Sequence, residues 1–252
     1  MTNELGITSF VALGDSFTEG LMDVRPDGTM RGWADRLAER LAHDAPGFTY
    51  ANLAVRGRLL EQIVEDQLHL AIAAAPDLVA FSAGGNDILR VGSDPDEVAA
   101  RYEQALVGLL ATGARVLVFT GFDVGATPVL RLVRGKIAVY NEHLRVLAAR
   151  HGADVVDLWG LTPLRDRRAF SPDRLHLSGD GHERVTRLVA QTLGLPTADP
   201  FEPWPNDAVA AATRHDDIVW AREHFLPWVS RHLRGRSSGD GLEPKRPDLA
   251  GL

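Results

Sequence analysis

Short apolar segments rich in β-branched residues alternate along the chain with longer segments in which apolar residues recur every three or four positions. The short segments are typical of strands in a parallel sheet that is buried on both faces. They occupy residues 10–13, 48–53, 78–81, 116–119 and 155–158. Because the alternation repeats five times, it predicts a three-layer α/β/α sandwich around a doubly wound, five-stranded parallel sheet.

The longer segments predict amphipathic helices. Asp94 as N-cap and Pro95 at the first helical position indicate where one helix begins. The apolar residues of that helix, from Val98 to Leu109, share one face. Four more helices are expected over residues 33–42, 60–73, 133–147 and 178–193.

The composition changes after residue 195, where closely spaced prolines mark a linker. We therefore expect a sandwich domain over residues 1–195 and a helical extension over residues 196–233. The extension is rich in aromatic residues, and burial against the sandwich is their usual fate, although a lid or a dimer contact stays open. These aromatic residues are Trp204, Trp220, Phe225 and Trp228. Residues 234–252 are rich in Gly, Ser and Pro, which predicts a disordered tail.

Composition and charge exclude several classes of protein. The chain has no cysteine, which excludes thiolate nucleophiles, thiolate metal sites and disulfides. The net charge of −7 argues against nucleic acid as a partner. The first residues do not resemble a signal peptide, and no apolar run is long enough to span a bilayer. We expect a cytoplasmic protein without a transmembrane segment, and the sequence does not indicate its oligomeric state.

A serine follows the first predicted strand, within Gly14-Asp15-Ser16-Phe17. Ligands bind at the carboxyl ends of the strands in open α/β sheets, so Ser16 lies where a nucleophile would be useful. Serine needs a neighbouring base before it attacks. Taken alone, the triplet Gly-Asp-Ser is better explained by Ser16 as the N-cap of a short helix.

Asp173 and His176 lie three residues apart in a non-helical loop that precedes the last predicted helix. At this spacing a carboxylate can bind the imidazole Nδ1 and leave Nε2 free to act as a base. Asp66 and His69 have the same spacing but lie within a predicted helix, where a surface contact between them is expected. Their different settings favour Asp173 and His176 as the chemically important pair.

Two further candidates each follow a predicted strand, Gly57 the second and Asn86 the third. Asn86, in the segment Gly84-Gly85-Asn86-Asp87, offers a side-chain N–H donor of the kind that stabilises an oxyanion. An Asn-Asp turn explains that segment better in isolation. Gly57 offers a backbone N–H, with a plain turn glycine as the alternative.

Together these four blocks resemble the GDSL, or SGNH, hydrolase family, and they occur in the family's order. The resemblance implies a flavodoxin-like SGNH hydrolase domain over residues 1–195 and a serine esterase or acylhydrolase that needs no metal or organic cofactor. It implies that Ser16 is the nucleophile, His176 the general base and Asp173 its orienting partner. It also implies an oxyanion hole formed by Ser16, Gly57 and Asn86. The implied substrate is a small-molecule ester with a short acyl group, and lipids, thioesters and acetylated sugars stay open.

Two other classes of function stay open. A non-catalytic binding module of the same fold would keep the four blocks for structure alone. A phosphate- or nucleotide-binding protein would use the loop after the first strand, but the chain lacks the glycine-rich patterns of such sites, and Asp15 would repel an anion. We also expect the loop over residues 121–135, after the fourth strand, to line the pocket with apolar side chains.

Overall fold

Six strands form one sheet in the computed structural model, which describes residues 5–127, 130–206, 220, 222–223 and 237–252. The strands are β1 (Ser9–Leu13), β2 (Thr49–Asn52), β3 (Leu78–Phe81), β4 (Arg115–Phe119), β5 (Asp154–Val156) and β6 (Arg246–Gly251). Their order across the sheet is β5-β4-β3-β1-β2-β6. The first five are parallel, which confirms the predicted doubly wound sheet. The winding direction reverses at β1, between β3 and β2.

The sixth strand corrects the prediction of a disordered tail over residues 234–252. β6 pairs antiparallel with β2, with Tyr50 opposite Ala250. The Arg246 guanidinium lies over the Tyr50 ring, and Leu249 packs against one of the two cores. Pairing with a sheet edge supplies hydrogen bonds and burial that the composition of this segment does not supply by itself.

Helices cover both faces of the sheet. The described residues contain α1 (Ser16–Glu19), α2 (Gly32–Asp44), α3 (Leu60–Ile63), α4 (His69–Ala74), α5 (Gly85–Ile88), α6 (Pro95–Leu110), α7 (Arg134–His151) and α8 (Gly179–Leu193), and a π-helical turn over Val64–Leu68 joins α3 to α4. Asp94 caps α6 as predicted, since its side chain accepts the backbone N–H of Asp96. Within these described ranges, no helix is long and apolar enough to cross a membrane.

Successive residues of the central strands contribute to two separate cores. Phe10 and Ala12 of β1 belong to the core beneath α2 and α8, where Trp33 is fully buried. Val11 and Leu13 belong to the other core, beneath α3, α4, α6 and α7. Burial on both faces explains why these strands read as continuous apolar runs rather than as alternating ones.

Part of the predicted extension contacts the sandwich. The indole N–H of Trp204 donates to the Pro163 carbonyl oxygen at 2.9 Å, and two arginine guanidinium groups lie over its ring. Trp220 contacts the site described below. The rest of the predicted helix and the start of the predicted tail, including Phe225 and Trp228, lie outside the described residues, at 207–219, 221 and 224–236. The packing of the extension as a whole therefore stays a prediction.

Lys245 attaches the last strand to the first two helices. Its ammonium group donates to the carbonyl oxygens of Glu19 at 2.6 Å, Arg31 at 2.9 Å and Met30 at 3.2 Å, and to the Asp35 carboxylate at 2.6 Å. Burial lowers the pKa of Lys245, and the charge of Asp35 opposes that change. The ammonium group is thus the common donor for four oxygens from two helices and the loop between them.

Lys245→Met should destabilise the fold, because it leaves the Asp35 carboxylate without its cation and removes one donor from three carbonyl groups. We expect the free energy of unfolding in urea to fall by about 3 kcal/mol. The other lysine of the chain, Lys136, serves as the control. It donates to the Arg90 carbonyl and the Ser93 hydroxyl near the surface, and Lys136→Met should cost less than about 1 kcal/mol. Equal losses would contradict the anchoring role of Lys245.

Candidate active site

The loops that follow β1, β2 and β3 meet at the carboxyl edge of the sheet. Ser16, Gly57 and Asn86 follow these three neighbouring strands in that order. All three line one cavity of about 610 Å³, and His176 lines it as well. Asp173 is hydrogen-bonded to His176. The structure therefore brings together the five residues that the sequence singled out.

Ser16 begins α1, but it is not the residue that caps this helix. The N-cap is Asp15, whose side chain accepts the backbone N–H of Phe17 at 3.1 Å. The alternative in which Ser16 is a helix N-cap is therefore wrong. Within the described part of the chain, the Ser16 hydroxyl makes no direct hydrogen bond to His176, although both residues line the same cavity.

Asp173 holds the ring of His176. Its Oδ2 lies 2.6 Å from His176 Nδ1, and its Oδ1 accepts from the Ser171 hydroxyl at 2.6 Å and from the backbone N–H groups of Leu175 and His176 at 3.0 Å. Burial alone would raise the pKa of Asp173. The bonds and charge of His176, together with the Ser171 hydroxyl, outweigh burial and hold the pKa well below its usual range. A permanent carboxylate beside Nδ1 favours the proton there and leaves Nε2 as the basic nitrogen.

The loop that carries this pair is fixed by its own backbone and by the extension. The Ser171 N–H donates to the His176 carbonyl oxygen at 2.9 Å, which closes the turn between them. Arg174 has a positive φ of 57°, uncommon for a residue with a side chain. The indole N–H of Trp220 donates to the Asp173 carbonyl oxygen at 2.7 Å, and the Arg174 guanidinium lies over the indole ring. The extension thus reaches the Asp173–His176 loop.

The side chain of Asn86 is oriented by two acceptors. Its Nδ2 lies 3.0 Å from Asp15 Oδ2 and 3.0 Å from the Arg58 carbonyl oxygen. Burial raises the pKa of Asp15 to about 6, although the Phe17 N–H bond opposes the rise. The carboxylate next to the candidate nucleophile therefore takes up a proton in mildly acidic solution, whereas Asp173 does not.

Gly57 lies in a turn with a left-handed φ of 72°. The Arg56 N–H donates to the Glu19 carboxylate at 2.8 Å, and the Arg56 guanidinium pairs with the same carboxylate. From the other side, Ser237 covers the glycine so closely that a Cβ at position 57 would overlap its hydroxyl. Both the backbone conformation and the close approach require glycine here.

Apolar side chains form most of the cavity wall. They include Phe17, Leu21, Ile88, Phe119, Phe122, Ile137, Leu164, Phe170 and Leu177. Val124 and Leu130, in the loop after β4, line the cavity as predicted. Leu132 of the same loop is 82% exposed, and Pro128 and Val129 lie outside the described residues. The loop therefore contributes part of the apolar wall.

Sequence reasoning missed two buried polar residues beside the site. The side-chain amide of Gln67, in the π-helical turn, bonds both the N–H and the carbonyl of Gly14, at 2.9 and 3.0 Å. His182 lines the cavity and stacks on Phe17, and its Nδ1 accepts the Trp33 N–H at 3.2 Å. Burial lowers the pKa of His182 to about 4, so it is neutral at physiological pH. Both residues lie in predicted helices, where nothing in the local pattern marks them.

The second Asp-His pair takes no part in the site. Asp66 pairs with Arg58 at 3.2 Å, and His69 Nδ1 lies 3.1 Å from the Glu65 carbonyl oxygen. The predicted contact between Asp66 and His69 is wrong because each has another partner. The prediction that both lie on the surface is confirmed.

The sequence profile of the GDSL-like lipase/acylhydrolase family matches residues 12–184. The matched segment contains all five candidate site residues. The chain belongs to the GDSL-like lipase/acylhydrolase family. As a member of this family it is an enzyme that hydrolyses ester bonds. No curated protein sequence gave a significant match.

Solved structures of GDSL-type and related hydrolases share the fold. LAE5, an α/β hydrolase enzyme from the metagenome of Lake Arreo, Spain, superposes with a TM-score of 0.64 at 19% identity, covering 76% of this chain and 97% of its own. TesA has a TM-score of 0.61 at 22% identity, with 73% and 97% covered. Axe2, an acetylxylan esterase from Geobacillus stearothermophilus, has a TM-score of 0.60 at 20% identity, with 78% and 98% covered. This likeness confirms the predicted α/β/α sandwich.

Asp173→Asn should destabilise the enzyme in a pH-dependent way. The pKa of Asp173 is lower in the folded chain than its ordinary value of 3.8, so its ionisation stabilises the fold above that pH and less so below it. We expect the variant to lose about 1–2 kcal/mol in urea unfolding at neutral pH, and the loss to shrink as the pH falls below about 4. Asp248→Asn, on the exposed side of β6, should change neither the free energy of unfolding nor its dependence on pH. A loss that is independent of pH would contradict this role of the charge.

Proposed function

We propose that this GDSL-family hydrolase is a serine esterase that cleaves a carboxylic ester of a small molecule through an acyl-enzyme. One observation carries the proposal. Ser16, Gly57 and Asn86 share a single cavity with His176, whose ring is held by Asp173 at 2.6 Å. This arrangement contains a nucleophile, a base with an orienting carboxylate, and donors for an oxyanion, which together define acyl transfer.

The reaction proceeds in two halves. His176 Nε2 takes the proton of the Ser16 hydroxyl as its oxygen attacks the ester carbonyl carbon. The tetrahedral intermediate collapses, and His176 returns the proton to the departing alcohol. In the second half, His176 takes a proton from water as the water oxygen attacks the acyl carbon. The second tetrahedral intermediate collapses, the acid departs, and His176 returns the proton to the Ser16 oxygen. Asp173 stays ionised throughout and stabilises the imidazolium that forms twice.

Backbone and side-chain donors hold the negative oxygen of each intermediate. The N–H groups of Ser16 and Gly57 and the side-chain amide of Asn86 fulfil this role. The Asn86 amide already donates to the Asp15 carboxylate and to the Arg58 carbonyl oxygen. One of these hydrogen bonds must therefore be shared with the oxyanion when it develops.

The substrate we propose is a small ester with a short acyl group. The cavity of about 610 Å³ lies within the range that holds one small organic molecule, and its mainly apolar wall suits an uncharged acyl chain. A thioester or an acetylated carbohydrate is the alternative within the same chemistry. The acetylxylan activity named for Axe2 belongs to that protein, and 20% identity does not transfer it. The cytoplasmic location stays a prediction from the sequence.

A non-catalytic binding module is the competing function. It would not need a carboxylate held ionised beside His176, nor a serine hydroxyl left free of helix capping. A nucleotide-binding role is disfavoured by the burial of Asp15 beside Ser16, since a carboxylate there opposes a phosphate. Labelling by a fluorophosphonate separates these functions, because it requires an activated serine.

Ser16→Ala should abolish ester hydrolysis while leaving the fold intact. We expect kcat/KM to fall by roughly 10⁴-fold or more on a panel of esters that varies acyl length and leaving group. Ser9→Ala is the matched control, since Ser9 lies at the other end of β1 and bonds Asp77. It should keep more than half of the rate. Undiminished hydrolysis by pure, folded Ser16→Ala would refute the assignment.

The rate should fall in mildly acidic solution because Asp15, with its pKa near 6, takes up a proton there, and the neutral carboxyl is a weaker acceptor for the Asn86 amide. His176→Ala should remove activity, whereas His69→Ala, at the matched spacing after Asp66, should not. Full activity of His176→Ala would count against His176 as the base, and a profile of kcat/KM that is flat across about pH 6 would count against the effect of Asp15.

A further inference from the structure

Residues 237–251, here called the C-terminal strap, reach the active site from beyond the family match, which ends at residue 184. The strap begins with a turn and continues into β6. In the turn, the Ser237 N–H donates to the Asp240 carboxylate at 3.0 Å, and the Gly239 N–H donates to the Ser237 hydroxyl at 3.0 Å. Residues of this turn line the same cavity as Ser16.

The turn of the strap contacts one peptide group of the site. The Ser237 hydroxyl donates to the Arg56 carbonyl oxygen at 3.2 Å. Gly239 packs so closely on the same oxygen that a Cβ there would overlap it. The Arg56 carbonyl and the Gly57 N–H belong to one planar trans peptide unit, in which they point in opposite directions. Holding the carbonyl therefore sets the direction of the Gly57 N–H.

The strap is also joined to the helix of the nucleophile. Lys245 donates to the carbonyl oxygen of Glu19, the last residue of α1, at 2.6 Å. The Glu19 carboxylate accepts the Arg56 N–H at 2.8 Å. The loop that contains Gly57 is thus held on one side by Glu19 and on the other by Ser237. Ser237 belongs to the strap, and Glu19 is bonded to the strap through Lys245.

We propose that Ser237 is a positioning residue of the active site, which orients the Arg56–Gly57 peptide so that the Gly57 N–H donates to the oxyanion. The proposal rests on the function proposed above. Protection of the β2 edge does not account for these contacts. Ser237 and Gly239 precede β6 and touch the loop after β2, whereas the edge of β2 is covered by residues 246–251.

Ser237→Ala tests this role, because it removes the hydroxyl that donates to the Arg56 carbonyl oxygen, together with the bond that this hydroxyl accepts from the Gly239 N–H. Loss of a whole oxyanion donor typically costs roughly 100- to 1,000-fold in rate, and a misdirected donor keeps part of its effect. We expect kcat to fall about 10-fold, with KM within about twofold of the wild type. Ser237→Thr keeps the hydroxyl and should restore most of kcat. Leu242→Ala, in an exposed part of the same strap, is the matched control and should leave kcat unchanged.

Two further measurements separate positioning from general stability. A trifluoromethyl ketone, which forms a tetrahedral oxyanion adduct with Ser16, should bind Ser237→Ala about 10-fold more weakly, and the matching methyl ketone should bind equally well. Amide hydrogen exchange of a peptide covering residues 54–60 should be faster in Ser237→Ala than in Leu242→Ala. A lower melting temperature with unchanged kcat and unchanged fluoroketone binding would overturn the proposal.

The failure of the two proposals can be told apart. If the wild type hydrolyses no ester of the panel and Ser16 is not labelled, the proposed function fails. The positioning role of Ser237 then fails with it, even if exchange at residues 54–60 increases. If the wild type is active and the alanine and threonine variants at position 237 behave alike, only the role of Ser237 fails.

Discussion

Parallel pairing of β1 with both β2 and β3 is the constraint on which the rest of the molecule depends. It sets Val11 level with Ala51 on one side and with Val79 on the other. Three chain segments consequently leave the sheet side by side. Parallel strands cannot be joined by tight turns, so each connection must cross a face of the sheet. Ser16, Gly57 and Asn86, which are distant in sequence, thereby line one cavity.

Two aspartates beside this edge show how the number of donors decides the charge of a site. Among the residues that the structure describes, Asp173 receives four hydrogen bonds, one of them from the ring of His176, and its pKa is far below normal. Asp15 receives two, from Phe17 and Asn86, and is more deeply buried, so its pKa is raised. The same residue type thus serves as a fixed charge beside the base and as a titratable group beside the nucleophile.

The features that sequence reasoning predicted were those with a local cause. Buried strands appear as apolar runs, α6 begins at a recognisable cap, and Asp173 and His176 meet within one short loop. The features that it missed depend on distant partners. Gln67 reads as an ordinary polar residue of an amphipathic helix until a π-helical turn aims it at Gly14. β6 has no alternation of its own and becomes a strand because β2 offers an edge.

The composition of β6 has a consequence for how the enzyme meets other copies of itself. Because β6 covers β2, it forms the outer boundary of the sheet on that side. Pro247 has no backbone N–H, Arg246 and Asp248 place charges along the strand, and its pairing with β2 shifts register between Tyr50 and Asn52. An edge that is irregular, charged and interrupted by proline disfavours pairing with a strand of a second molecule. The segment that completes the sheet therefore also protects it from edge-to-edge aggregation.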